Sequence, residues 1–134
     1  MKAQDATQNR GWIIGFWLYF LLLVLISVGA YLQALPENLT QQDKLGHFIL
    51  LGLAGFLGHQ ALGRRSISVL RVMLPLGPSL ATVFSTIDEF LQLLSTTRSF
   101  DLVDLWSNWI GIWLFYAVAE TAQQILKKRR SQHK

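Results

Sequence analysis

The chain has 134 residues, of which 51% are hydrophobic and only 15% are charged. A water-soluble domain of this size rarely has so few charges, so the composition predicts a membrane protein whose apolar residues face lipid. The net charge of +4 arises from basic residues at the chain ends and in one short connection, which excludes a basic nucleic-acid-binding face. The absence of cysteine excludes disulfides, thiolate metal sites and cysteine nucleophiles.

The first predicted helix covers residues 11–35 and contains no charged residue. At about 1.5 Å per residue it reaches roughly 37 Å, enough to cross a hydrocarbon core of about 30 Å with some tilt. Its basic start resembles a secretion signal, but its apolar stretch is longer than the usual signal core of about 7 to 15 residues. We therefore expect a retained membrane anchor.

Three further apolar segments predict helices at about residues 45–63, 72–94 and 102–126, the third helix starting at Val72 or Pro75. The predicted fold class is therefore all-α, a polytopic membrane protein built as a bundle of four transmembrane helices. Arginines stand in the connection 64–71, and a basic tail follows residue 126. By the positive-inside rule this connection and both termini are cytoplasmic, and the tail contacts anionic lipid outside the last helix.

The polar residues of the apolar segments are expected to gather at the opposite, outer end of the bundle. The first group, Asp43, Lys44 and His47, enters the second helix. His47 shares a helical face with small residues, which favours its pointing into the bundle. The alternatives are a helix cap for Asp43 and an interfacial side chain for His47. An interfacial position is also the interpretation for His59 and Gln60, to which we assign no role.

The second group lies in the third helix, where Glu89 and Gln92 are one turn apart. A charged carboxylate at this depth costs at least about 2.5 kcal/mol unless it is paired, hydrated or protonated, so Glu89 is a candidate functional residue. A structural lock between Glu89 and Arg98 or Lys44 explains it equally well. Asp88 points about 100° away from Glu89 and ranks below it.

The third group opens the fourth helix, where Asp101, Asp104, Asn108 and Gly111 follow Arg98 at spacings that place them on one stripe. The two aspartates can also be explained as partners of the positive end of the helix dipole. The three groups together allow several chemistries. One is acid–base catalysis, for which the candidates are Glu89, His47 and Asp104. The others are binding of a hard cation by oxygen ligands and binding of a polar head group.

These motifs, Asp43-Lys44-Leu45-Gly46-His47-Phe48, Glu89-x-x-Gln92 and Arg98-Ser99-Phe100-Asp101-x-x-Asp104-x-x-x-Asn108-x-x-Gly111, resemble those of the VanZ-like membrane proteins. The resemblance covers about residues 43–111 in order and spacing, and it implies that residues 1–134 form a single VanZ-like integral membrane domain. The chain departs from the family where a second glycine often follows the first by four residues, because Phe115 stands there. The sequence thus leaves close backbone packing at that position undecided.

The resemblance implies a multi-pass protein of the bacterial inner (cytoplasmic) membrane in a cell-envelope and antibiotic-resistance context. It leaves the reaction and any cofactor undefined. The leading hypothesis is an outward-facing polar pocket that engages a lipid-linked envelope component or an amphiphilic glycopeptide antibiotic. In it Arg98 and Lys44 hold an anionic group, and Asp104 and Asn108 supply hydrogen bonds. The expected binding residues are Asp43, Lys44, His47, Glu89, Gln92, Arg98, Asp101, Asp104 and Asn108.

Three alternatives remain open. The first is an intramembrane acid–base or metal-assisted hydrolase or transferase, although the chain carries no established metal or nucleophile motif. The second is a structural membrane partner, whose polar residues only lock the helices together. The third, a proton-linked carrier or channel subunit, is disfavoured because the polar residues gather at one end rather than trace a path across the membrane. Membrane lipids are expected partners, and homo-oligomerisation stays open.

Overall fold

The computed structural model describes residues 3–34, 44–96 and 99–132. This part of the chain is mostly helical, with a short antiparallel hairpin between the second and third helices. The helices are α1 (Ala3–Tyr31), α2 (Lys44–Ala61), α3 (Leu76–Leu91) and α4 (Leu102–Gln132), a single 3₁₀ turn (Gln92–Leu94) follows α3, and the strands are β1 (Ser66–Val69) and β2 (Val72–Pro75).

Helix α2 ends at Ala61, two residues before the predicted end at residue 63. The reason is a glycine-based C-cap in which Gly63 has a φ of +66°. The Gly63 amide donates to the Gln60 carbonyl at 3.0 Å, and the Arg64 amide donates to the His59 carbonyl at 2.8 Å. These are the two reversed hydrogen bonds of a Schellman motif, which satisfy the last carbonyls and turn the chain away from the helix axis.

Of the two predicted starts of the third helix, Val72 is wrong, because residues 72–75 form strand β2, whereas Pro75 lies one residue before the observed start at Leu76. This strand pairs with β1 in the register Ser66↔Pro75 to Val69↔Val72. Branched side chains at Ile67, Val69 and Val72 favour extended backbone over helix. Pro75 then serves as the N-cap of α3 in an extended conformation.

The first and last helices, α1 and α4, also end at residues other than those predicted. Helix α1 ends at Tyr31 rather than residue 35, and Gln33 adopts a left-handed φ of 53° just beyond it. Helix α4 continues through the basic tail to Gln132, six residues beyond the predicted end. Lysine and arginine are good helix formers, and cations are favoured near the negative end of a helix dipole, so the tail extends the helix instead of leaving it.

Helices α2 and α4 pack with their backbones close together. A Cβ built on Gly52 would lie 2.7 Å from the Phe115 ring, and one built on Gly55 would lie 3.0 Å from Ile112. A Cβ on Gly111 would overlap the Phe48 carbonyl oxygen and lie 2.9 Å from its carbonyl carbon. Small residues therefore bring the two helices into contact, and the Phe115 ring occupies the space that Gly52 leaves on the facing helix.

The distribution of side chains is the reverse of that in a soluble protein. Among the described residues, two large apolar side chains are buried, Leu105 and Ile112, whereas the buried polar ones are His59, Gln60, Ser85, Glu89, Gln92 and Asn108. Helix α3 shows the pattern clearly. It buries Ser85 and Glu89 and exposes apolar residues along the opposite face, among them Val83, Ile87 and Phe90. Large exposed apolar surfaces of this kind are typical of contact with lipid.

Within the described part of the chain, two helices are long and apolar enough to cross a membrane by themselves, within Asn9–Tyr31 and Leu102–Gln132. This supports membrane association. Helices α2 and α3 are shorter, at 18 and 16 residues.

Candidate functional site

A cavity of about 310 Å³ lies between α1 and the other three helices. Helix α1 forms most of its apolar wall, and polar side chains stand on the other helices. The lining residues are Phe20, Leu23, Val24, Ile26, Ser27 and Ala30 from α1, His47, Leu50 and Leu51 from α2, Phe84, Ser85 and Asp88 from α3, and Asn108 from α4. Apolar walls with a few converging polar groups are the usual composition of a ligand-binding pocket.

His47 and Asn108 form the polar contact between α2 and α4 in this cavity. His47 Nδ1 lies 3.2 Å from Asn108 Oδ1, which makes it the donor when that nitrogen carries the proton. Asn108 is 3% exposed, whereas His47 is half-buried. The close approach of the two helices at Gly111, one turn from Asn108, holds this pair in place.

Asp88 lies at the mouth of the cavity. It is half-buried and lines both the cavity and a more open depression of about 520 Å³ beside Tyr31 and Leu94. Ser85, one turn earlier, lines the cavity and donates to the Thr82 carbonyl at 3.1 Å, which leaves its oxygen able to accept. In the sequence, the spacing of three residues between Ser85 and Asp88 indicates that they share a helical face. Sequence reasoning nevertheless favours Glu89, because Glu89 is predicted to lie deeper in the membrane.

Glu89 closes the connection between α3 and α4. It is 1% exposed, its Oε1 accepts from the Asp101 backbone N–H at 2.9 Å, and its Oε2 accepts from Gln92 Nε2 at 3.2 Å. Both carboxylate oxygens thus bond to groups at the start of α4 and the end of α3. This arrangement supports the structural interpretation of Glu89, with the Asp101 backbone amide as one of its partners. Arg98, the partner expected from the sequence, lies outside the described residues.

Asp101 is the N-terminal cap of α4. Its Oδ1 accepts from the Val103 backbone N–H at 2.8 Å, and its carbonyl accepts from Leu105. The side-chain bond satisfies one of the orphan amides of the first turn, and the carbonyl bond is the first hydrogen bond of the helix. Asp104 is half-buried, and its Oδ1 is buried with no hydrogen-bond partner among the described residues.

The structure therefore divides the predicted binding residues into groups. His47 and Asn108 line the cavity, whereas Glu89, Gln92 and Asp101 form the helix connection. Two further members lie outside the described residues, Asp43 and Arg98. Lys44 is the first residue of α2 and is exposed, so within the described part of the chain it does not line the cavity.

A second polar cluster, the His59 cluster, lies at the opposite end of the bundle. It consists of His59, Arg64, Tyr116, Glu120 and Gln123. Arg64 donates to both carboxylate oxygens of Glu120 at 2.6 Å and also to Gln123 Oε1. His59 Nε2 lies 3.7 Å from Glu120, and its ring meets the Tyr116 ring edge-on at 5.0 Å.

The interfacial interpretation of His59 and Gln60 is therefore wrong. His59 is 3% exposed and Gln60 is 7% exposed, and the first turn of α3 packs on the backbone of His59. A Cβ on Gly77 would overlap the backbone of His59 and lie 2.7 Å from its Cβ. The expectation that the buried polar residues gather at one end of the bundle is therefore also wrong. The argument against a carrier or channel, which was based on that expectation, no longer holds. The sequence feature that could have predicted the His59 cluster is Glu120, an acidic residue within an apolar helix.

Among residues 3–34, 44–96 and 99–132 no group of three or more histidine, aspartate or glutamate side chains is placed to hold a metal ion. The described groups around the cavity offer hydrogen bonding by Asn108, and hydrogen bonding or proton transfer by His47 and Asp88.

No family model, curated protein or solved structure matches the chain.

Proposed function

We propose that the chain is a VanZ-like multi-pass protein of the bacterial inner membrane that binds an amphiphilic component of the cell envelope. The single observation that carries this proposal is the division of the 310 Å³ cavity into a mainly apolar wall on α1 and a more polar wall on the other helices, where His47, Ser85, Asp88 and Asn108 stand beside three apolar residues. An amphiphile presents the same division. Its chain would lie along α1, and its polar group would meet His47, Asp88 and Asn108.

The membrane placement is supported by the inverted distribution of polar and apolar side chains and by two helices of spanning length. In the proposed topology α2 and α3 also cross. Their lengths of about 27 and 24 Å are slightly below a hydrocarbon core of about 30 Å, a mismatch that bilayers accommodate by local thinning. The arginines near the hairpin and the basic end of α4 then face the cytoplasm, and Asp88 faces outwards.

The polar side chains favour a particular head group. An ionised Asp88 accepts hydrogen bonds and repels anions, whereas Asn108 both donates and accepts. The described cavity therefore suits hydroxyl or amine donors, such as those of a sugar or amino head group, better than a bare phosphate. A volume of about 310 Å³ stands at the lower end of small-molecule pockets, so it accommodates one segment of a lipid-linked precursor or of the acyl chain of a glycopeptide.

Lipid retention after purification tests this proposal. Ser27 lines the cavity, whereas Leu25 on the same helix is 61% exposed and points away from it. Ser27→Phe fills the cavity, and Leu25→Phe adds the same kind of ring on the outer surface. Native mass spectrometry should show a bound amphiphile on the wild type and on Leu25→Phe, reduced at least about tenfold on Ser27→Phe. Equal retention by all three proteins would contradict the proposal.

An intramembrane hydrolase or transferase is the second candidate, favoured by one observation. His47 and Asp88 line the same cavity, so a base and a carboxylic acid have access to one bound molecule. Glu89 is less suited to this role because both of its oxygens hold the helix connection. Turnover of a lipid-linked sugar by the purified protein, lost in His47→Gln, would establish this candidate over simple binding.

A further inference from the structure

The hairpin β1–β2 presents one entirely apolar face. In its register Val69 pairs with Val72 and Ile67 pairs with Leu74. Paired residues lie on the same side of a hairpin, and positions two apart share that side, so these four side chains form one surface, which we call the apolar hairpin face. The opposite side carries Ser66, Ser68, Met73 and Pro75.

Three of the four side chains of this apolar face are exposed, and the fourth, Leu74, is half-buried where β2 approaches α3. Ile67 and Val69 are each 42% exposed, and Val72 is 56% exposed. A lone two-stranded hairpin is marginally stable in water, and contact of its apolar face with another apolar phase adds the stability that it needs. The tip, Leu70, is 93% exposed.

The turn at the tip is strained. Leu70 and Arg71 both adopt left-handed backbone conformations, with φ of 49° and 70°. A tight two-residue hairpin turn requires this at both central positions, where asparagine and glycine are the usual residues. The chain instead keeps a large apolar side chain and a cation there. Strain at a special position is a reason to look for a function of the side chains held there.

The position of the hairpin restricts what can cover it. Strand β2 continues into α3 without a linker, and the Leu76 amide donates to the Arg65 carbonyl at 2.8 Å, which ties both ends of the hairpin to the first turn of α3. The hairpin therefore stays at the end of the bundle. In the proposed topology that end is the cytoplasmic surface of the membrane, which carries anionic lipid.

We propose that the apolar hairpin face, with Leu70, is inserted into the head-group region of the same membrane, and that Arg65 and Arg71 bind anionic lipid. Both arginines are exposed. Arginines near an anionic surface and apolar side chains below the head groups are the combination by which interfacial segments bind membranes. The inference rests on the membrane placement in the proposed function but does not depend on the cavity.

Site-specific labelling tests the proposal without background because the chain has no cysteine. Val69→Cys labels the apolar hairpin face, and its neighbour Ser68→Cys labels the opposite face and serves as the matched control. Each variant carries an environment-sensitive fluorophore and is reconstituted in vesicles of phosphatidylcholine with phosphatidylglycerol. Quenching is measured with lipid-attached spin labels and with aqueous acrylamide.

We expect the label at position 69 to be quenched by the lipid-attached group and protected from acrylamide, and the label at position 68 to show the reverse. Combining Arg65→Gln with Arg71→Gln should reduce the inserted-to-exposed ratio at position 69 by about fivefold per arginine. Equal acrylamide access at both positions would overturn the proposal. So would protection at position 69 without lipid quenching, which would indicate a protein partner. If the hairpin proposal fails in this way, the proposed function still stands provided that the wild type retains an amphiphile that Ser27→Phe loses.

Discussion

Substituting Gly111 with alanine tests the packing that holds the candidate site together. Gly111 lies on α4 one turn from Asn108, where α4 meets the backbone of α2. A Cβ at this position would overlap the Phe48 carbonyl oxygen and lie 2.9 and 3.0 Å from the Phe48 carbonyl carbon and Cα. These are backbone atoms, so no change of rotamer relieves the overlap.

The size of the effect follows from two opposing terms. Alanine is favoured over glycine inside a helix by about 1 kcal/mol. Ordinary contact begins at 3.4 Å, so α2 and α4 must separate by at least 3.4 − 2.9, or about 0.5 Å. A gap of this size forfeits a quarter or more of each contact across it, and overpacking a tight interface costs about 3 kcal/mol or somewhat more. We expect a net loss of about 2 kcal/mol in unfolding free energy.

Reversible unfolding by SDS in mixed micelles measures this change. Gly15→Ala is the matched control, because Gly15 is also helical but has no heavy atom within 4 Å of the new Cβ. This control should be as stable as the wild type or slightly more stable. The reasoning about the α2–α4 contact is refuted if Gly111→Ala is as stable as Gly15→Ala.

Substitutions at three further positions probe polar contacts between the helices. Glu89→Ala should lower the unfolding free energy by about 2 to 4 kcal/mol in the same titration, because it leaves the Asp101 amide without its acceptor, whereas Glu89→Gln should cost about 1 kcal/mol. An alanine variant as stable as the wild type would instead indicate a strained carboxylate kept for a ligand. Arg64→Gln should cost about 1 kcal/mol or less because its ion pair with Glu120 is partly exposed, and the loss should shrink in high salt. A larger, salt-independent loss would contradict this. Trp109→Phe removes the indole donor to a threonine of α3 at 3.1 Å and should cost about 1 kcal/mol in the SDS titration, and an unchanged midpoint would argue against that bond.

Much of the fold could be predicted from apolar periodicity and length. The sequence predicts four helical segments, and the described part of the chain has a helix within or overlapping each of them, because a predominantly apolar segment of this length forms helix readily when its backbone groups are satisfied internally. The hairpin escapes prediction because two strands of four residues leave too short a pattern to distinguish from a loop with a helix start. Pairing between Val69 and Val72 depends on a tight turn at Leu70 and Arg71, where no glycine or asparagine signals it.

The site is harder to predict than the fold. Spacing along single helices identifies His47 and Asn108 as candidates, but it cannot say which helix faces which. Depth in the membrane ranks Glu89 first, yet its carboxylate bonds to a backbone amide that no side-chain pattern reveals. The contribution of α1 to the cavity also depends on tertiary packing, because this helix is apolar on all sides. For the same reason the sequence does not reveal that Asp88 lines the cavity.

The most direct test of the central claim compares the affinity of the protein for two amphiphiles with the same chain. One carries a sugar head group and the other a simple methyl ester, and both are titrated into protein reconstituted in nanodiscs. The wild type should bind the sugar-bearing amphiphile at least about tenfold more tightly, and Asp88→Asn and His47→Gln should lose most of that preference while remaining folded. Equal affinity of the wild type for both amphiphiles, or a preference that both substitutions leave intact, would contradict the proposal that this cavity recognises an amphiphile by its polar wall.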